Sequence, residues 1–363
     1  MKILFSNKIF FEQKYGGISR YFYTVFEKFI EKNITFKVIA PIYKNLYLKS
    51  LNASYKKGIF IPRYPLNYSL KKLNNFISNK FINSCDYNIL HDTYFSSHIL
   101  DIKNKKKIVT IHDLIHEKFS KYYNSRDIIS TKREIFKKID KFICVSESTK
   151  EDLLKIYDIQ ENKISVIYHG SDHLDKISVD TSKKKFEFLK KINKPFILYV
   201  GNRYRYKNFQ TLVRAFNNSS LIKNNFQIIF FGGESISKKE SQLYDELKLS
   251  KKILHLRGDD EILKHLYFSA QVMVSTSVDE GFGLNILEAL RYGCIVLAKD
   301  IKVFREIYND KLTYFNDEES LQFSLEKCLQ LKKYQNETKN NKFFEKFTWE
   351  KTCAKMLQVY ENC

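Results

Sequence analysis

The sequence predicts an α/β protein of two domains, each a parallel sheet covered by helices. Short apolar runs alternate with longer amphipathic segments along the whole chain, the pattern of successive βαβ units. At 363 residues the chain exceeds what one compact core usually serves. The alternation is interrupted once, by a lysine-dense segment over residues 176–194, and resumes at Pro195.

In the first half the apolar runs place strands at residues 2–5, 36–40, 87–91, 107–111, 142–145 and 164–167. A helix is expected over 18–31, where Tyr21, Phe22, Val25, Phe26 and Phe29 recur at helical spacing. The second half restarts with strands at 195–200, 227–231, 253–256, 272–276 and 294–298. Five strands with helices between them make a second Rossmann-like unit. The last amphipathic stretch, 349–360, reads as a helix able to pack back on the first domain. The expected domains are therefore residues 1–180, residues 181–345 and a terminal helical segment, 346–363. The fold class is α/β, two Rossmann-like domains with parallel sheets facing across a cleft.

A hydrophobic fraction of 44% and a charged fraction of 28% are those of a soluble globular protein. No apolar run reaches the ~18 residues of a membrane span, and the start lacks a secretory signal, so a cytoplasmic location is expected. The six cysteines are scattered singly, without the spacing of zinc sites or of a disulfide framework, and read as reduced fillers. The net charge of +21 has two readings. Lysine clusters at 103–107 and at Lys132, Arg133, Lys137 and Lys138 suit peripheral contact with an anionic membrane, at the inner face of the cytoplasmic membrane. Lysine, asparagine and isoleucine are also abundant throughout, a compositional bias that accounts for charge without function.

The most informative segment runs from Ser275 to Gly293, directly after a strand. Gly281 and Gly283 allow backbone to approach a ligand, and the helix that follows presents free N–H groups and positive dipole potential to a phosphate. Glu280 and Glu288 stand eight residues apart, on the order of 12 Å along a helix. That span suits a nucleotide sugar, with one carboxylate on hexose hydroxyls, the other on the ribose diol and the diphosphate between. A second segment, residues 199–208, puts Arg203, Arg205 and Lys207 at the end of the second domain's first strand. Preorganised cations there suit a departing diphosphate. Gly16 and Gly17 precede a helix and read as another backbone anion site. His112 follows a strand at the edge where α/β proteins bind ligands. Gly232 and Gly233 are expected to shape the nucleotide pocket, and residues 257–260 to face the base.

Two glutamates separated by seven residues, with Gly281-Phe282-Gly283-Leu284 between them, resemble the signature of the retaining family-four glycosyltransferases of GT-B fold. Residues 15–21, 109–113, 142–153 and 164–172 resemble other segments of that family in the same order, so the resemblance spans nearly the whole chain. It implies catalytic roles for His112, Glu280, Arg203 and Lys207, with Arg205 in reserve because Asn202 stands where the family's arginine often follows the glycine. It implies donor binding by Gly16, Gly17, Gly281, Phe282, Gly283, Leu284 and Glu288. The implied activity is retaining transfer from a nucleoside-diphosphate sugar to an acceptor hydroxyl on a glycan or glycolipid, in cell-surface polysaccharide or lipopolysaccharide synthesis. No cofactor and no metal are implied, and no nucleic-acid partner is expected. Two other readings stay open on the sequence: a sugar-nucleotide epimerase or phosphorylase of related fold, and a basic membrane- or nucleic-acid-binding module.

Overall fold

The computed structural model describes residues 1–65, 68–122, 126–203, 205–330 and 342–363. These divide into two compact units, Met1–Gly170 with Phe347–Cys363, and Ser171–Lys346.

Among the described residues the first unit holds a seven-stranded parallel sheet. Its strands are β1 (Ile3–Phe5), β2 (Phe36–Tyr43), β3 (Lys56–Phe60), β4 (Ile89–Asp92), β5 (Lys106–Ile111), β6 (Lys141–Cys144) and β7 (Ile164–Val166), in the order β3-β2-β1-β4-β5-β6-β7. Ile3 lies in register with Phe36 on one side and Ile89 on the other, so the order reverses between β1 and β4. Helix α1 (Gly17–Glu31) lays Tyr21, Phe22, Val25, Phe26 and Phe29 on the sheet, each nearly inaccessible to solvent. Phe26 meets the Phe5 ring edge-on at 4.8 Å. Side chains of this size each stabilise the fold by about 2–3 kcal/mol when buried. Helix α2 (Tyr68–Ser84) packs against β2, to which its Asn74 is hydrogen-bonded.

The final helix, Trp349–Glu361, belongs to this first unit. Thr348 caps it by accepting from Lys351 N–H. Trp349 is fully buried, and Tyr360 reaches the sheet centre, its hydroxyl 2.6 Å from His91 Nδ1. His91 Nε2 lies 2.9 Å from Thr110 Oγ1. The helix can enter because residue 170 is glycine: a Cβ there would stand 2.2 Å from the Trp349 nitrogen.

The second unit has, among the described residues, a six-stranded parallel sheet of β8 (Phe196–Val200), β9 (Gln227–Phe231), β10 (Ile253–Leu256), β11 (Val272–Ser275), β12 (Ile295–Lys299) and β13 (Thr313–Phe315). The order is β10-β9-β8-β11-β12-β13. Helices α3 (Phe209–Asn218), α4 (Asp260–Ser269) and α5 (Leu284–Arg291) belong to this unit.

Two parallel Rossmann-like sheets are therefore present, with a strand at an edge of each that the periodicity does not announce. β3 reads Lys-Lys-Gly-Ile-Phe and is largely exposed, and β13 is three residues long. Edge strands of this kind bury little and carry little alternation. The boundary between units also falls at Gly170 rather than at 180, and at Lys346 rather than 345. The reason is an ionic clasp. Arg291 donates from Nη2 to Asp175 at 2.6 Å, Tyr292 donates to the same carboxylate at 2.9 Å, and Lys264 donates to the carbonyls of Leu174 and Ile177. The lysine-dense segment that interrupts the alternation is likewise bound into the second unit, where Lys183 and Lys185 pair with Glu261.

Removing the Tyr360 hydroxyl leaves buried His91 Nδ1 without its partner, so Tyr360→Phe is expected to cost about 1–3 kcal/mol in urea unfolding. Burial also lowers the imidazoles of His91 and His112 to about 3 from 6.5. Both are neutral when folded and take up a proton when unfolded, so stability present above pH 6.5 is lost as pH falls towards 3. Between pH 6.5 and 5.5 the loss is about 1 kcal/mol for each. Chemical denaturation across that window should show it, with a shallower slope in His112→Gln.

Candidate functional site

β8 and β11 are neighbours at the centre of the second sheet, where the strand order reverses, and the loops at their C-terminal ends carry the residues singled out above. Gly201, with φ +122°, ends β8 and the chain turns through Arg205–Lys207 into α3. The β11 loop runs from Thr276 to Gly283 and turns into α5.

These two loops are sewn together. The Thr276 hydroxyl donates to the Lys207 carbonyl at 2.6 Å, and Val278 N–H donates to the Tyr206 carbonyl at 2.9 Å. Asn285 of α5 donates to the Val200 carbonyl at 3.1 Å. The side chains then close the pair: Lys207 Nζ donates to Glu280 Oε1. Lys207 and Glu280 are 21% and 15% exposed, enough for a ligand to reach and little enough that water screens the pair weakly.

Gly283 caps α5 in the left-handed region, φ +85°, and a Cβ there would stand 2.7 Å from Phe304 Cε1. Tyr308 donates to the Gly283 carbonyl at 2.7 Å and to that of Phe282 at 3.3 Å, which fixes the turn from behind. Gly281 and Phe282 are buried and Leu284 partly so. The α5 N-terminus is thus held by the fold rather than by a side-chain cap, and its N–H groups suit an anion.

Two of the expected site residues are engaged otherwise. Arg203 is 3% exposed, and its guanidinium donates to Glu240 Oε1 at 2.7 Å and to the carbonyls of Gly232 and Glu234. It braces the turn after β9 and offers a diphosphate nothing in this arrangement. Arg205, the reserve, is exposed on the loop with φ +57°. Glu288 is fully buried, not open to a ribose. Tyr267 of α4 donates to its Oε2 at 2.8 Å, and His173 Nε2 lies 3.3 Å from its Oε1. Tyr267 and His173 carry no local motif that marks them as partners of Glu288. Tertiary packing alone brings them there.

Gly233, φ +67°, sits so close to the β8 loop that a Cβ would lie 2.8 Å from the Gly201 carbonyl oxygen. Arg257 Nε donates to the Gly233 carbonyl at 3.0 Å. The turns after β8, β9 and β10 therefore form one connected rim.

In the first unit His112 directly follows β5. Its ring meets Tyr21 edge-on at 5.0 Å and stacks near His169 at 5.9 Å. Its Nε2 is covered by protein atoms and finds no hydrogen-bond partner among the described residues. A neutral imidazole in this setting can donate to or accept from a ligand hydroxyl, but it does not serve as a cation near neutral pH. At the head of α1, Ser19 N–H donates to Gln13 Oε1 at 3.4 Å, and a Cβ on Gly16 would strike that same side chain. Gln13 thus partly occupies the anion position read at Gly16. A Cβ on Gly17 would meet nothing within 4 Å, so close approach does not require glycine there. Among the described residues no group of three or more His, Cys, Asp or Glu side chains is placed to hold a metal ion.

Comparison with known proteins fits this geometry. The family described as glycosyltransferase family 4 matches residues 15–173, and that described as glycosyl transferases group 1 matches residues 180–343. The chain belongs to this family of glycosyltransferases. It is 30% identical over 195 residues to an O-antigen chain mannosyltransferase of Salmonella typhimurium, a match covering 52% of this chain and 51% of that one. It is 26% identical over 289 residues to a serotype-specific mannosyltransferase of Escherichia coli, covering 74% of this chain and 35% of the other. The chain spans about half the length of the first of these relatives and about a third of the second. In fold it is similar to a glycosyltransferase of Rickettsia africae, TM-score 0.70 at 24% identity over 99% of this chain and 98% of that one. It is also similar to an Anabaena protein solved with UDP and glucose, TM-score 0.76 at 16% identity over the whole of both chains.

The two arginines separate by stability. Arg203→Ala removes a buried guanidinium that donates from each of its three nitrogens and is expected to cost about 2–3 kcal/mol, while Arg205→Ala should stay within about 0.5 kcal/mol. Urea midpoints of the two variants check this. Gly283→Ala combines left-handed backbone with the Phe304 clash, and a loss of about 2–3 kcal/mol is expected in the same measurement.

Proposed function

We propose that the chain is a retaining glycosyltransferase that moves a sugar from a nucleoside-diphosphate sugar to an acceptor hydroxyl, in cell-surface polysaccharide or lipopolysaccharide synthesis. The observation that carries the reading is the Lys207–Glu280 pair, held between the two loops that meet at the strand-order reversal and beside the α5 N-terminus. A pair of opposite charges poised there suits a donor with both a sugar and a diphosphate.

In this reading the diphosphate competes with Glu280 for Lys207 and lies against the N–H groups of Gly283 and α5. Glu280, released, accepts hydrogen bonds from the hexose hydroxyls. The bond between the anomeric carbon and the β-phosphate oxygen breaks, its electron pair passing to the phosphate, where Lys207 and the helix terminus stabilise the charge. Arg205 replaces Arg203 as the second cation. The acceptor oxygen bonds to the same face of the anomeric carbon and its proton passes to the departing phosphate, which retains configuration. In the first unit, His112 is neutral and suits a ligand hydroxyl. Glu288 meets the ribose diol only where that diol takes the place of Tyr267 or His173. No divalent ion is called for, because lysine and backbone supply the neutralisation.

The two named mannosyltransferases favour a mannosyl donor, and the Anabaena complex a nucleoside-diphosphate one. The acceptor is a glycan or glycolipid, which brings the protein to the inner face of the cytoplasmic membrane.

A panel of nucleotide sugars, read by thermal shift and by release of nucleoside diphosphate, tests the reading. One donor should stabilise the wild type. Lys207→Ala should lower turnover about 10²- to 10³-fold, and Glu280→Gln should weaken use of that donor. If no sugar nucleotide binds, or both variants turn over like wild type, the reading falls.

A further inference from the structure

The positive charge of this chain is unevenly distributed. From residue 32 to residue 85 there are ten lysines and arginines and neither aspartate nor glutamate. That stretch contains β3, at the edge of the first sheet, and α2.

Helix α2 is built the wrong way round for a helix covered only by water. Its inward face buries Asn74 and Ser78 together with Ile82. Asn74 is consumed by the backbone of β2, accepting from Ile42 N–H at 2.9 Å and donating to the Ile42 carbonyl at 3.3 Å. Its outward face carries Leu73 at 50% exposure and Phe76 at 59%, with Tyr68 at 78% at the helix start. Lys72 and Lys80 stand on that same face, one turn to either side of Phe76. β3 continues the surface, since Lys57 lies 3.8 Å over the Phe81 ring of α2, and Ile59 of the same strand is 69% exposed.

We propose that the outward face of α2, with β3 beside it, docks on an anionic lipid bilayer. A bilayer surface offers phosphates and acyl chains within about 5–10 Å of depth. Phenylalanine, leucine and isoleucine interleaved with lysines meet both at once, the apolar groups entering and the lysine stems lying along them with ammonium groups at the phosphates. A nucleic acid would use the lysines and leave Leu73 and Ile59 in water. The lysines picked out from the sequence at 107 and 132 are unsuited to the role: Lys107 is 8% exposed, and Lys132 is 3% exposed and paired with Glu117 at 2.8 Å. Among the described residues no helix is long and apolar enough to cross a membrane, so the contact is with one leaflet.

This rests on the membrane placement proposed above and not on the transfer reaction, since it is read without turnover. The full chain is sedimented with vesicles of phosphatidylcholine alone and of phosphatidylcholine with an equal share of phosphatidylglycerol. Wild type should bind the mixed vesicles, bind neutral ones far less, and release as salt rises. Leu73→Ser with Phe76→Ser should weaken binding at least about tenfold. Lys72→Gln with Lys80→Gln should weaken it by about fivefold for each lysine, and Lys137→Gln with Lys138→Gln should leave it unchanged. Emission from Leu73→Trp should shift to the blue on mixed vesicles, and thermal melts of all variants establish folding. If wild type ignores mixed vesicles, the membrane placement is wrong. If wild type binds and the α2 variants bind equally, this face is not the contact. Retardation of duplex DNA that the α2 variants lose, with vesicle binding intact, would make the face a nucleic-acid surface instead.

Discussion

The second unit depends on the seam between the loops that leave β8 and β11. Two backbone carbonyls of the first loop, at Tyr206 and Lys207, are taken by Val278 N–H and the Thr276 hydroxyl of the second. With both backbones fixed, the Lys207 ammonium and the Glu280 carboxylate have little freedom to do other than meet. Preorganisation of this kind carries its cost in folding, so a ligand that exchanges one partner for another meets groups already in place. Tyr308 and Phe304 do the corresponding work behind Gly283, bracing a left-handed residue from a neighbouring helix.

The first unit solves a different problem, the burial of polar groups within an aromatic core. His91 stacks on Phe5 and is held between Tyr360 and Thr110, so both ring nitrogens are satisfied and the imidazole is neutral. His112, just after the neighbouring strand, shares the same aromatic surroundings through Tyr21 and Phe22 but keeps Nε2 uncommitted among the described residues. Both imidazoles fall to about 3 because burial disfavours the cation. Of these two histidines, His91 has both ring nitrogens bonded, while His112 keeps Nε2 without a partner among the described residues.

Charge divides along similar lines. Two of the buried cations are matched by carboxylates, Lys132 by Glu117 and Arg203 by Glu240. On α2, Lys71 pairs with Glu12 at 3.2 Å, while Lys72 and Lys80 flank the exposed Phe76. A solvated helix has no use for outward Phe76 and Leu73, and the fold compensates by turning Asn74 and Ser78 inward, with Asn74 bonded to β2. Composition accounts for most of the net charge, and the α2 face is the one proposed to make contact.

The sequence by itself determined the parallel α/β architecture, nearly every interior strand, the helix over α1 and the loops that carry Lys207, Glu280, Gly281 and Gly283. These are legible because apolar periodicity and glycine placement act locally. It also marked His112, whose position at a strand end is a local fact. Only the tertiary structure decided how the polar side chains are spent. Arg203 and Arg205 are equivalent in a basic loop until Glu240 and two carbonyls arrive from the β9 turn to claim the first. Glu288 reads as open until α4 and the segment around His173 enclose it. The unit boundary was displaced for the same reason, because Asp175 is bound by Arg291 and Tyr292, more than a hundred residues further along the chain. Partners distant in sequence leave no periodic trace, and they fix which charges remain available to a ligand.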